Sequence, residues 1–97
     1  MSSADPCVTV RYWAGAKAAA GVAEESLPLA TFPGATLADL LLHLQDRHGA
    51  AFSTVLSACS FLVSEHPVAQ RASHELRLVD GEVVDVLPPF AGGAEAA

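Results

Sequence analysis

The side chains able to do chemistry in this sequence are few, and their spacing excludes most reactions. The four histidines stand apart at positions 43, 48, 66 and 74, and no HExxH pair, GxSxG turn or EF-hand loop occurs. His66 and His74 flank a loop, so only a coincidence of folding would bring them onto one ion, and no metal site is expected. Cys7 and Cys59 form no CxxC pair and have no obvious further ligands. That excludes a zinc ribbon or disulfide framework and leaves both as small core residues. Glu24 and Glu25 could supply an acid and a base, but adjacent side chains at a strand end diverge, so a solvated surface is expected for both. The adjacent glycines Gly92 and Gly93 precede no helix that could use them to cradle a phosphate.

What remains is the end of the chain. In Pro88-Pro89-Phe90-Ala91-Gly92-Gly93, two glycines follow closely on two prolines that stop the last strand by removing backbone donors. Glycine loses more backbone freedom on ordering than any other residue, so the pair is a poor way to stabilise a fold. Small residues at a frayed terminus would account for it without any purpose. The proline pair favours the other reading, a thin segment without side chains that stands off the domain and threads a narrow channel in another protein.

A domain must hold that segment out. Residues 7–12 are β-branched and aromatic, with Val8 and Val10 on one face and Thr9 and Arg11 on the other, which predicts a strand with one wet side. Residues 14–20 are mostly alanine and stop at Gly21, which predicts a short helix. Residues 26–32 alternate weakly, and Pro28 confines them to a sheet edge. Thr36 followed by Asp39 resembles a capping box, and Leu37, Leu40, Leu41 and Leu44 recur on one face, so the main helix starts here and stops at Gly49. Leu42 breaks that pattern, and His48 in the last turn reads as a capping or surface histidine. A further helical turn over 51–58 and a short strand over 61–64 follow, whereas 65–73 shows no strong pattern. Leu76, Leu78 and Val79, then Asp80-Gly81, then Val83, Val84, Val86 and Leu87 read locally as a hairpin whose second arm is the firmer strand. The sum is an α+β layer, a mixed or mostly antiparallel sheet packed on one main helix. Residues 1–6 form a loose leader, 7–90 the domain and 91–97 an extended tail.

Composition narrows the class. Ninety-seven residues suffice for one domain, and a core of that size leaves little room for a deep catalytic cleft. With 52% hydrophobic and 16% charged residues the chain is expected to fold alone. Five basic against eleven acidic residues give a net charge of -6, which repels nucleic acid and either favours partners with a basic face or serves only solubility. No apolar run is long enough to cross a membrane and residues 1–5 lack the features of a secretion signal, so a cytoplasmic protein is expected.

The run from Leu78 to Gly93 resembles the ending of the MoaD/ThiS sulfur-carrier family, ubiquitin-like β-grasp proteins that end in Gly-Gly. The paired prolines lean toward MoaD, the small subunit of molybdopterin synthase. The likeness covers most of the chain from Val8, with Lys17 where the family often has arginine and Thr36-Leu-Ala-Asp-Leu-Leu opening the main helix. It also implies a turn, not a strand, near residues 76–79.

The resemblance implies a carrier, not an enzyme. A ubiquitin-activating-type adenylyltransferase would use ATP to convert the carboxylate of Gly93 to an acyl adenylate, and a sulfurtransferase would supply the sulfur that displaces AMP to leave a thiocarboxylate. Pro88, Pro89, Phe90, Ala91, Gly92 and Gly93 would then enter the large subunit of molybdopterin synthase. This chain would bind no cofactor of its own. An exposed apolar sheet face would meet both partners, with Val8, Phe61, Leu87 and Phe90 as candidates. One departure matters, because the sequence continues past the second glycine through Ala94-Glu95-Ala96-Ala97 and so blocks the carboxylate. Cleavage between Gly93 and Ala94 by a metalloprotease of the deubiquitinase type would free it. The alternatives are a carrier for thiamin thiazole, cysteine or a secondary metabolite, and a binding module that carries no sulfur.

Overall fold

The computed structural model describes residues 5–89 of the chain. Its elements run β1 (Cys7–Tyr12), α1 (Ala14–Ala20), β2 (Glu24–Pro28), α2 (Leu37–His48), α3 (Ala50–Leu56), β3 (Ser60–Val63), β4 (His66–Val68) and β5 (Val83–Leu87). The strands form one mixed sheet in the order β2-β1-β5-β3-β4, with β1 and β5 parallel at its centre and the other pairs antiparallel. Val8, Val10, Tyr12, Phe61, Val63, Val84 and Val86 point to one face, where Leu37, Leu40 and Leu44 of α2 and Phe52 and Leu56 of α3 complete the core. This is the expected β-grasp. Val8 and Phe61 are therefore core residues and cannot meet a partner, because strand alternation turns them toward the helices.

The main helix starts as its sequence predicts. The Asp39 amide donates to Thr36 Oγ1 at 3.1 Å and the Thr36 amide donates back to Asp39 Oδ2 at 3.3 Å, completing the capping box. Gly34 lies just before it at φ 97°, where a Cβ would collide with the Asp39 carboxylate. Thr36→Ala should cost about 1 kcal/mol, visible as a melting temperature roughly 4–8 °C lower. An unchanged melting temperature would show that the cap contributes nothing.

Four expectations need correction. The edge strand spans Glu24–Pro28 instead of 26–32, because β1 pairs from Arg11 with Glu24 to Cys7 with Pro28, and the chain then turns with Thr31 Oγ1 donating to the Pro28 carbonyl. The patternless stretch 65–73 contains β4 and a 3-10 turn, Gln70–Ala72. Ser64 and Glu65 both take positive φ and fold β4 back on β3, a two-residue turn that usually announces itself with Asn-Gly. Residues 76–79 form no hairpin arm with β5, apart from an isolated bridge between Thr36 and Arg77. The Leu76 and Ser73 carbonyls instead accept from the Leu37 and Ala38 amides, satisfying the open donors at the start of α2. Finally, Cys7 is only half-buried, on the sheet face opposite the helices, whereas Cys59 is buried as expected.

Candidate functional site

The sheet order decides where the chain's end emerges. β5 lies between β1 and β3 and runs parallel to β1, so Leu87 finishes at the edge where β1 hands over to α1. The Trp13 amide donates to the Val86 carbonyl at 3.2 Å and ties that corner to the last strand. Pro88 and Pro89 then leave the sheet half-buried and exposed, respectively. Phe90, Ala91, Gly92, Gly93 and Ala94 lie outside the described residues, as does the tail that contains them, so their expected roles stay with the sequence.

Around that exit the outer sheet face carries a patch that the sequence analysis did not single out. Trp13 is 46% exposed, and its indole nitrogen donates to Asp85 Oδ1 at 2.9 Å. Arg11 grips the same carboxylate through Nε at 2.7 Å and Nη2 at 3.1 Å, and its guanidinium lies 5.7 Å from the indole centroid. Leu87 and Leu62 are half-buried on the same face. Beside the indole, a shallow groove of ≈ 430 Å³ runs between Trp13, Lys17 and Glu24. The signal in the sequence was an aspartate inside the run Val83-Val84-Asp85-Val86, since a charge in a central strand must find a partner.

A second cluster lies on the helix side of the same sheet end. Glu25 Oε2 accepts from the Tyr12 hydroxyl at 2.5 Å and meets His48 Nε2 at 2.7 Å, while Oε1 accepts from Arg47 Nε at 2.7 Å. Tyr12 and His48 pack edge-on, and both rings border Phe52. The expectation of a solvated Glu25 is therefore overturned, because its register opposite Val10 turns it inward while Glu24 faces out. His48 is likewise neither a surface residue nor a helix cap, since its side chain is 11% exposed and joins the end of α2 to β2. Tyr12 also borders the groove beside Trp13, but its hydroxyl is spent on Glu25 and the glutamate on three partners, so the cluster reads as a structural tie. Among those residues no group of three candidate metal ligands forms, and His66 and His74 are not brought together in one.

The electrostatics of both clusters have a consequence for pH. Burial pushes the Glu25 carboxyl up, but hydrogen bonds from Tyr12, His48 and Arg47 and the charge of Arg47 outweigh it and hold the group below its ordinary 4.5. Burial likewise raises Asp85, and the bonds from Arg11 and Trp13 overcome it, leaving the group below 3.8. Tyr12 moves the other way, pushed well above the usual tyrosine range by burial and by its bond to Glu25. A carboxyl whose folded value is depressed stabilises the fold above its unfolded value and loses that contribution as pH falls through the folded one. Stability from these two groups should be level at neutral pH and decline below about 4.5. Denaturant melts at a series of pH values would show this, and undiminished stability down to about pH 3 would contradict it.

Comparison with known proteins covers the domain and its ending together. The ThiS family profile matches residues 10–93, which includes both glycines. A molybdopterin synthase sulfur carrier subunit from Mycosarcoma maydis is 34% identical over 95 residues, covering 96% of this chain and 100% of that protein. One from Chlamydomonas reinhardtii is 31% identical over 86 residues, covering 89% and 98%. The solved molybdopterin converting factor subunit 1 from Pyrococcus furiosus superposes with a TM-score of 0.72 at 30% identity, covering 89% of this chain and all of that one. A match that runs from the first strand through Gly93, on a β-grasp sheet whose last strand leaves at its centre, makes this chain a member of the ThiS/MoaD family of ubiquitin-like sulfur carriers.

Proposed function

We propose that this chain is the sulfur-carrying small subunit of a molybdopterin synthase, acting through the carboxylate of Gly93 after removal of residues 94–97. The observation that carries the reading is the end-to-end likeness to a molybdopterin synthase sulfur carrier subunit. The geometry supports it, because β5 delivers Pro88 and Pro89 outward beside an exposed tryptophan. In the first step the Gly93 carboxylate attacks the α-phosphorus of ATP held by a ubiquitin-activating-type adenylyltransferase, and pyrophosphate leaves. In the second, hydrosulfide supplied through a sulfurtransferase attacks the acyl carbon, the C–O bond to AMP breaks, and a proton is released as the thiocarboxylate forms. The glycines have no side chains to keep an enzyme's backbone away from the reacting carbon. The synthase's large subunit then takes the tail, and its own site performs the chemistry on the acceptor.

The test is reconstitution. The chain ending at Gly93 should gain one oxygen-to-sulfur exchange in mass when incubated with the host's adenylyltransferase, magnesium ATP and hydrosulfide, whereas the 97-residue chain should not. Failure of the Gly93-ended form to react, or equal reaction of the longer chain, would overturn the proposal. Transfer from that thiocarboxylate to a molybdopterin precursor, and not to a thiazole or cysteine precursor, would separate the pathway from its alternatives.

A further inference from the structure

Asp85 is the one buried charged residue among those described, 3% exposed in the central strand and just ahead of Pro88. Three donors converge on its carboxylate, two from Arg11 and one from the Trp13 indole. Trp13 is held to β5 a second time through its own amide. Yet Trp13 as a residue stays nearly half exposed to water. An apolar ring stabilises a fold by being buried, and a buried ion pair contributes little net stability against apolar residues of the same size, so the fold itself gains little here. What such a clamp does provide is a rigid aromatic anchor with its ordering cost already met, the kind of group that concentrates energy in an interface.

We infer that Asp85 is a positioning residue for partner recognition, clamping Trp13 and Arg11 in the shape that the large synthase subunit reads. The inference rests on the carrier function proposed above. Pro88 and Pro89 leave the sheet from the corner that the Trp13 amide ties to β5, so a protein that takes in the residues beyond them would lie close to this ring. Arg11 Nη1 makes no hydrogen bond among the described residues, so the matching surface is an apolar pocket for the indole, rimmed by a carboxylate or carbonyl that meets that nitrogen. A charged pair in the middle of the face also rejects partners that offer only apolar area, because they would leave it unsatisfied.

Trp13 is the only tryptophan in the chain, so its fluorescence reports the clamp directly. The experiment compares the chain ending at Gly93 with its Arg11→Leu/Asp85→Leu and Asp85→Asn variants. It measures denaturant unfolding, indole anisotropy and quenching, and binding to the purified large subunit and to the adenylyltransferase. Removing both charges strands neither, so the double variant should unfold at the same or higher denaturant concentration. Its indole should be more mobile, and the large subunit should bind at least about tenfold more weakly. Asp85→Asn keeps an acceptor for the indole and should show a smaller loss, which carries the test if the double variant does not fold. A double variant that binds the large subunit as tightly as the parent would overturn the inference, as would a loss confined to the adenylyltransferase. If the parent binds neither protein, the carrier function fails and the inference with it. If the parent binds both and the variants are unaffected, only the inference fails.

Discussion

Replacing Gly93 with alanine is expected to lower sulfur transfer by at least about 100-fold, the scale on which small displacements of a reacting centre are felt. The carboxylate remains, but a methyl group now stands beside the acyl carbon that hydrosulfide attacks in the adenylate, and close to the thiocarboxylate sulfur that must then reach the acceptor. Gly93 follows the end of β5 at Leu87 in the sequence, beyond the strand that completes the sheet, and the melting temperature should stay within about 1 °C of the parent. The measurement is single-turnover formation and transfer of the thiocarboxylate, followed by mass. A variant that transfers sulfur within a few-fold of the parent would contradict the carrier account. It would favour instead a module that works through its folded surface, which has no reason to notice the change.

Glu25→Ala should be the most damaging polar substitution in the domain, at about 2–4 kcal/mol. Its side chain is 11% exposed and is the shared acceptor for Tyr12, His48 and Arg47. Truncation leaves the buried Tyr12 hydroxyl and the His48 ring without their acceptor, and it unpins the end of α2 from the edge strand. Arg47 is half exposed and water replaces its partner, so it adds little to the loss. Glu25→Gln keeps an acceptor for Tyr12 and should cost about half as much. Denaturant unfolding of both variants decides the matter, and a loss below about 1 kcal/mol for the alanine would show that the cluster is not a tie.

The parts of the fold that were legible in the sequence are those where local chemistry and tertiary packing ask for the same thing. Alternation in residues 7–12 predicts β1, and the capping box with its four leucines predicts α2, on which Leu42, the one that breaks the pattern, is exposed. The turn at Ser64-Glu65 was invisible because neither residue type favours positive φ, and the packing around it imposes what propensity does not. Residues 76–79 carry a strand's composition, but their backbone serves the open end of α2, a use that only the tertiary arrangement reveals. The candidate site divides in the same way. The prolines could be read directly as the stop of β5, since their meaning lies in what they prevent. Trp13 and Arg11 stand two residues apart, but Asp85 lies 72 and 74 positions further on and meets them only because β1 and β5 run side by side, so no spacing rule could have joined it to them. Glu25 was misassigned for the same reason, its burial being set by the register with β1.

The most direct test of the account is the intact mass of the protein purified from its native host. The account predicts a species ending at Gly93, a fraction of it heavier by one oxygen-to-sulfur exchange, and loss of that fraction when the adenylyltransferase gene is disrupted. If every molecule instead retains Ala94 to Ala97 and none carries the exchange, no Gly93 carboxylate is ever free to be activated, and the carrier account is wrong.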